Sequence, residues 1–578
     1  MLVADTLLPG PAAMLLSATS RVITLQPVDL TIIIIYFFAV LGIGFYLKKY
    51  ARTGEDFFVA GREMTAWVAG LAFISANLGS LELMGWAGNA YQYGILAAHW
   101  YWVGAIPAML FLAIVMMPFY YISKTHSVPG YLELRYGHAT SGLSAVTFAF
   151  MTILMSGVNM FAMAVVMKTI LGWNFTFSLW VSTFTVGIYV ALGGLYSAIF
   201  NEVVQFFLIW LGALLIPILG LVETGGWSGM VARIKQNFPG QNFTHMWGPM
   251  LHPSQNPMGV SWIAIVFGLG AVLSMGYWTT DFLVVQRVIT AKDIRSAKSA
   301  PVIGAFFKMA VPFIVILPGL LGLAVLPFHL FPDNVVAANP ALHSYDQVLP
   351  LMMARYLGPG LLGLGITALI AGFMSGMAGN ISAFATVWTY DIYRPFIKKQ
   401  ASDRHYVNMG RWCTIIGLFI SIGAAYIVNH FGSLMNYVQA LFSFFIAPLF
   451  GTVIIGMLWK RATKAAGFWG LLAGISTAVG IFVTISEHPS SVKWFCFYTG
   501  AQQLAQQMWQ ALWAFVAVAV VSVIVTLATR PRPDAELRGL VMGLTDIPSE
   551  GDLPVLKRPF FWAVICFVIF LILQWIFR

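Results

Sequence analysis

From residue 28 almost to its last residue, this 578-residue chain is a succession of apolar stretches, each long enough to cross a bilayer. About fourteen can be counted. They lie near 28–47, 62–93, 97–121, 141–171, 174–195, 198–222, 258–286, 300–328, 345–393, 408–430, 436–458, 463–484, 505–528 and 558–577. Inside hydrocarbon every backbone N–H and C=O must find a partner within the protein, so spans of this length read as helices. Only 9% of the residues are charged and 59% are hydrophobic. A soluble domain carries roughly 25% charged residues, so a solvated surface of ordinary size cannot be built. The longest gap between spans is too short for an independent core.

The net charge of +10 does not point to nucleic acid, because Lys and Arg are scattered between the spans and form no basic stripe. Their scatter carries a topology instead. With the N-terminus outside, most basic residues fall in inner loops, among them Lys48, Lys49 and Arg52, Arg287 to Lys298, Arg394 to Arg411, and Lys460 to Lys464. Both termini are therefore predicted to face outward. The outer loops 223–257 and 329–344 are longer and less basic, and 529–557 reads as an inner Pro- and charge-rich linker. The first 26 residues lack the basic n-region of a cleaved signal peptide. Cys413, Cys496 and Cys566 form no metal or disulfide spacing. No metalloprotease helix, phosphate loop or nucleophile elbow occurs, and the ten histidines do not cluster, so an enzyme is not expected.

Two spans are interrupted where a plain membrane helix tolerates no break. One is ISANLGSLELMGWAGNAYQYG, Ile74 to Gly94; the other is GLGAVLSMGYWTTDFLVVQR, Gly268 to Arg287. Each mixes Gly and small polar residues with one carboxylate, Glu82 or Asp281. Such breaks survive only where protein or a wet cavity surrounds them, and matching breaks in two halves of a chain point to a transporter's solute and ion site. Ser75, Asn77 and Ser80 bring oxygen atoms to the first break. Close helix packing through small residues is the competing reading. Ser375, on a small-residue face, brings a hydroxyl suited to a hard cation. Lys308 sits mid-span one turn before Pro312 and must snorkel, pair or meet a polar solute. Gln439 can donate and accept, as hydroxyl-rich ligands require. Glu202, at the start of a span, is a candidate for a second cation or a proton, or simply a favoured acid at a helix N-terminus.

Several ordered motifs resemble the sodium:solute symporter family, in its sodium/glucose cotransporter-like branch. They are FFVAGREMTAWVAGLAFISANLGSLELMGWAGNAY, VPGYLELRYG, YWTTDFLVVQRVITAKDIRSAK, FFKMAVPFIVILPG, SGMAGNISAFATVWTYDIYRP and MLWKRATKAAGFWG, and the likeness covers nearly all of residues 27–460. It implies an all-α polytopic membrane protein with a LeuT-type 5+5 inverted repeat and about fourteen transmembrane helices. Residues 1–61 would hold the outer N-terminal segment and a first flanking helix. Residues 62–222 and 258–458 would be the two repeats. Residues 459–578 would add three flanking helices with the inner linker 529–557.

The resemblance also assigns residues. Lys308 and Gln439 match sugar-contacting positions, Tyr277 and Trp278 the aromatic pair beside them, and Asp281 the acid of that motif. Tyr101 replaces a carboxylate of the sugar transporters, and Glu82 stands where relatives carry His or Gln. In the implied sodium site, Ser75, Leu78 and Gly372 offer backbone carbonyls and Ser375 is one of two family serines. The second serine is Gly376, so the site is expected to be weakened, with water in the vacated space. Glu202 stands where relatives carry Asp. The implied activity is import of a small polar solute, a sugar or polyol favoured, with Na+ across the cell (inner) membrane by alternating access. The alternatives are H+-coupled or uncoupled transport on the same fold, or a solute sensor. The lipid bilayer is the expected surrounding, and neither nucleic acid nor an obligatory protein partner is implied.

Overall fold

The computed structural model describes residues 25–47, 49, 53–247, 252–326, 345–428, 433–551 and 553–578. The expected outer N-terminal segment up to residue 24 and the expected outer loop 329–344 lie outside these residues. Among the described residues the protein is helical and has no strand; one isolated bridge pairs Met64 with Ala291.

Among the described residues ten helices are long and apolar enough to cross a membrane, or eleven if one bent pair is taken as a single span, and three further apolar helices are shorter. We number the principal helices along the chain. They are α1 (Pro27–Leu47), α2 (Ala66–Asn77), α3 (Ser80–Tyr93), α4 (105–122), α5 (His138–Leu171) and α6 (Phe175–Ala213). Then come α7 (Ala264–Thr280), α8 (Phe282–Ile289), α9 (Ile294–Ala310), α10 (Pro312–Val325), α11 (Leu361–Val387) and α12 (Asp403–Val428). The last four are α13 (Leu434–Leu458), α14 (Lys464–Glu487), α15 (Gln503–Ala528) and α16 (Pro559–Ile576).

The fourteen expected spans therefore do not appear as fourteen uninterrupted helices, and the differences have local causes. The spans expected at 174–195 and 198–222 share α6, which kinks at Gly194 with φ 56° and ψ −152°. The span expected to begin at 345 begins at Leu361, because residues 348–356 form a separate short helix. Between α3 and α4 the chain turns at Gly94, where φ is +69° and Ile95 N–H donates to the Phe243 carbonyl at 2.8 Å. A Cβ at Gly94 would stand 2.4 Å from that carbonyl oxygen, so only glycine permits the approach. The tight turn expected at 172–174 is present: Gly172 ends α5 in the left-handed region and Asn174 caps α6.

Both expected breaks are present, and they are built differently. Helix α2 starts on the Thr65 hydroxyl and stops at Asn77. Leu78 (ψ 59°) and Gly79 (ψ 169°) leave the helical region before α3 resumes at Ser80. The second break is a single residue. Asp281 (ψ 113°) ends α7, and its carboxylate accepts from the Leu283 amide at 2.9 Å, capping α8. A short backbone ladder joins the two broken helices at one end: Met64 N–H donates to the Thr290 carbonyl, and Lys292 N–H to the Met64 carbonyl.

Helix α2 is held centrally, against α6, α8, α9 and α11. The expected linker 529–557 has no long helix and docks on one end of the bundle. There Arg532 donates to the carbonyls of Leu134 and Arg135, and Tyr131 to the carbonyl of Leu540. The outer flanks of α1, α15 and α16 expose Phe38, Leu527 and Trp575, the apolar surface that a lipid-facing helix requires.

Helix α1 is attached at its first turn by a buried carboxylate, and midway by Tyr36, which is hydrogen-bonded to Gln205 and Met374. Asp29 accepts from the amides of Gly360 and Gly363, each at 2.7 Å, at the N-terminal end of α11. These donors have no helical partner, and the negative charge suits a helix start. Replacing Asp29 with Ala leaves both amides bare, an expected loss of about 2 kcal/mol. The measurement is the thermal melt of the detergent-solubilised protein; an unchanged melting temperature would show that α1 is held by its other contacts, Tyr36 included.

Candidate functional site

The two breaks flank a narrow cavity of about 40 Å³, room for a few waters as the chain stands. Its walls come from Asn77 on α2, Glu82 and Trp86 on α3, and Trp100 and Tyr101 before α4. Leu273, Ser274, Tyr277 and Trp278 from α7, Lys308 from α9, and Gln439 and Phe442 from α13 complete it.

Asn77 is the hub of the polar wall. As the last residue of α2 it points its carboxamide where the helix has ended. Its Nδ2 donates to Tyr277 Oη at 2.9 Å and to Glu82 Oε1 at 3.3 Å, while its Oδ1 accepts from Lys308 Nζ. Glu82 Oε2 accepts from Tyr101 Oη. The Lys308 ammonium, 2% exposed, lies 4.5 Å from the Tyr101 ring centre and 5.0 Å from that of Trp278. Its charge is thus met by a carboxamide oxygen and two aromatic faces, and it does not snorkel out of the bundle. Gln439 is buried, and its Oε1 has no partner among the described residues. Tyr277 packs on Phe442 with ring centres 4.9 Å apart, and Trp86 on Trp100 at 4.8 Å.

Six of the seven residues expected to meet solute line this cavity: Glu82, Tyr101, Tyr277, Trp278, Lys308 and Gln439. Asp281 does not. Its carboxylate is spent as the α8 cap, a role set by the break itself. The two departures from the sugar-transporter pattern, Tyr101 and Glu82, touch each other. Sequence reading missed Trp86, Trp100, Leu273, Ser274 and Phe442. Apolar and aromatic residues on helices carry no signal that separates a cavity wall from a packed core.

A second cluster lies behind α2, where α11 crosses the first break. Ser375 Oγ donates to the Ser75 carbonyl at 2.8 Å and lies 3.1 Å from Ser75 Oγ. Gly372 is where the two segments touch: a Cβ there would stand 3.0 Å from the Leu78 carbonyl oxygen. Ser75, Leu78, Gly372, Ser375 and Gly376 are thus brought together as expected. The donors are hydroxyls and carbonyls only, a set that suits a hard cation such as sodium. The space beside Gly376 is not simply vacant, because a Cβ there would lie 3.2 Å from Asn159 Oδ1.

Glu202 is in neither cluster. It sits within α6, fully buried, with Oε1 2.5 Å from Arg287 Nη2 and Oε2 3.2 Å from Arg287 Nε. This two-pronged pair joins α6 to α8. The carboxylate is thus neither at a solvated helix start nor without a cationic partner.

Apolar helices closed around a polar cavity at two helix breaks define a membrane transporter. A sequence model of the sodium:solute symporter family matches residues 57–474, and the chain belongs to that family. Human sodium/glucose cotransporter 4 is 27% identical over 553 residues, covering 91% of this chain and 79% of the relative. Rabbit sodium/myo-inositol cotransporter 2 is 27% identical over 474 residues, covering 78% and 69%. The Vibrio parahaemolyticus sodium/glucose cotransporter is 25% identical over 466 residues, covering 78% and 84%. A solved Na+-coupled sialic acid symporter, substrate-bound and outward-open, aligns with a TM-score of 0.68 at 18% identity, over 88% of this chain and 99% of that one. That likeness speaks for the fold, and the expected all-α, LeuT-type architecture agrees with it.

The Glu202–Arg287 pair makes a separable prediction. Glu202→Ala and Arg287→Ala should each destabilise by about 3–5 kcal/mol, because each leaves one buried charge unpaired. The double variant should recover part of that loss, as a double-mutant cycle in thermal melts would read out. Strict additivity would show that the two side chains act independently.

Proposed function

We propose that this symporter imports a sugar or polyol together with sodium by alternating access, with the cavity between the two breaks as the solute site. The observation that carries the reading is the Gln439 oxygen, without a partner among the described residues, in a cavity whose other polar groups are both donors and acceptors. A buried acceptor left bare costs free energy that a solute hydroxyl would recover. Lys308, Asn77 and Glu82 add donors and acceptors, and the rings of Trp278, Tyr277, Trp86 and Trp100 offer apolar faces. A hydroxylated ring or chain presents the complementary mixture. The names of the relatives, cotransporters of glucose and myo-inositol, support the same class.

The carboxylate that sugar-transporter resemblance expects at position 101 is, on this reading, supplied from position 82. Tyr101 orients it by donating to Oε2. In the cation site Ser75, Leu78 and Gly372 would give carbonyl oxygens and Ser375 its hydroxyl. The end of α2 and the first residue of the break carry both halves of the coupling. Ser75 and Leu78 face the ion, and Asn77, between them, faces the solute. A cation that favours one arrangement of this turn fixes how Asn77 is presented, which is differential binding of the kind coupling requires.

The two breaks support a pair of inverted repeats, residues 62–222 and 258–458, with one helix before and three after. Counting α2 with α3, α7 with α8, and α9 with α10 as single spans, and α6 as two at its kink, the reading is about fourteen spans. The distribution of basic residues supports both termini outside, and the cell (inner) membrane is the surrounding this reading takes.

The test is the melting temperature of the purified protein against sugars, polyols, amino acids and carboxylates, in sodium and in choline. A ligand stabilises by mass action, so a sugar or polyol shift that grows in sodium is expected. Lys308→Ala and Gln439→Ala should each weaken that solute about tenfold, equivalent to about 1.4 kcal/mol. A shift confined to carboxylates or amino acids would overturn the solute class. A sugar shift indifferent to sodium would overturn the coupling.

A further inference from the structure

Asn159 lies on α5, 3% exposed, and does not line the solute cavity. Its Nδ2 donates to the Met155 carbonyl one turn back, at 3.2 Å. That bond fixes the carboxamide with its oxygen turned away, and Oδ1 has no partner among the described residues. The direction of Oδ1 is recorded by two glycines. A Cβ on Gly79 would lie 3.0 Å from it, and a Cβ on Gly376 would lie 3.2 Å from it. The same point above Gly79 is 3.6 Å from the Gly372 carbonyl oxygen. A bare, buried carboxamide oxygen therefore faces the first helix break, beside the position where the second family serine is missing. The nearby Gly376 carbonyl cannot satisfy it, being an acceptor itself, and already takes a bond from Asn380 Nδ2.

Leaving such an oxygen dry and unpaired costs about 1–3 kcal/mol. The cost is removed if the oxygen has a cation to face. A carboxamide oxygen is a hard donor of the same type as the carbonyls of Ser75, Leu78 and Gly372 and the hydroxyl of Ser375. We propose that Asn159 supplies, through Oδ1, an oxygen ligand to the sodium ion in place of the hydroxyl that Gly376 lacks. The inference rests on the sodium-coupled reading above. It also revises the expectation of a weakened site: the missing oxygen is delivered from α5 instead of α11. Helix α5 thereby joins α2 and α11 as a support of the ion, and the two glycines are the space that lets it reach.

The experiment is a sodium titration of the melting temperature of the full chain in detergent, at constant ionic strength with choline chloride. Asn159→Ala is expected to raise the half-saturating sodium concentration about tenfold, the worth of one lost ligand bond. Solute stabilisation in choline should be unchanged. Asn159→Asp keeps the volume and brings a charged oxygen, and should lower that concentration at least about threefold. Gly376→Ser should gain less than about twofold in the wild-type background, and in Asn159→Ala it should restore most of the loss. If Asn159→Ala does not fold, the direction of the Asp variant decides. The proposal is overturned if both variants leave the sodium midpoint within about twofold of wild type. It is also overturned if the Ala variant weakens solute binding equally in sodium and choline, which would make Asn159 a solute contact. A wild type that sodium does not stabilise at all would overturn the sodium reading itself, and this inference with it.

Discussion

Everything distinctive here depends on the requirement that backbone groups exposed by a broken helix find partners where water is scarce. The two breaks meet it by different means. At Asp281 one side chain takes the Leu283 amide and the chain moves straight into α8. At Leu78 and Gly79 two residues leave the helix. The Leu78 amide remains bonded to the carbonyls of Ile74 and Ser75, and Ser375 reaches across from α11 to the Ser75 carbonyl. The first break is therefore held partly by a neighbouring helix. It opens a cluster of oxygens to one side and the Asn77 carboxamide to the other. The second break is closed on itself and leaves the aromatic pair Tyr277 and Trp278 just before it to form a wall.

Charge is managed by the same logic of scarcity. The buried charged residues include Lys308 and the pair of Glu202 and Arg287. The pair is bidentate and completely enclosed, a joint between α6 and α8. Lys308 forms no direct ion pair with a carboxylate among the described residues; it meets Glu82 through Asn77 and leans on two rings. A charge held through a neutral relay can be recruited by an incoming hydroxyl with less loss than one locked in a direct ion pair. This difference separates a joint from a site.

Much of this was legible along the chain. Gly, Ser and an acid together inside an apolar run marked both breaks, because the acid is costly in hydrocarbon and the small residues let neighbouring segments come close. Lys308 and Gln439 were legible for the same reason, as polar atoms at mid-span. What remained hidden depends on distance in sequence. The bond between Arg287 and Glu202 joins residues 85 positions apart, and Asn159 meets Gly376 only because α5 and α11 pack together. Asp281 looked like a solute ligand because an acid at a break satisfies two descriptions, a cap and a contact. Only the path of the chain after it decides. The tryptophans of the cavity were invisible because pattern treats a wall and a core alike.

The contact between Tyr101 and Glu82 bears on how such a chain can change over generations. An acid at both positions would place two like charges against each other in a confined, poorly hydrated space. An acid at neither would leave the Lys308 ammonium without a countercharge across the Asn77 relay. Either single replacement therefore upsets a charge balance that the second restores. The pair thus constrains substitution at both positions together: changing one alters the charge that the other must accommodate.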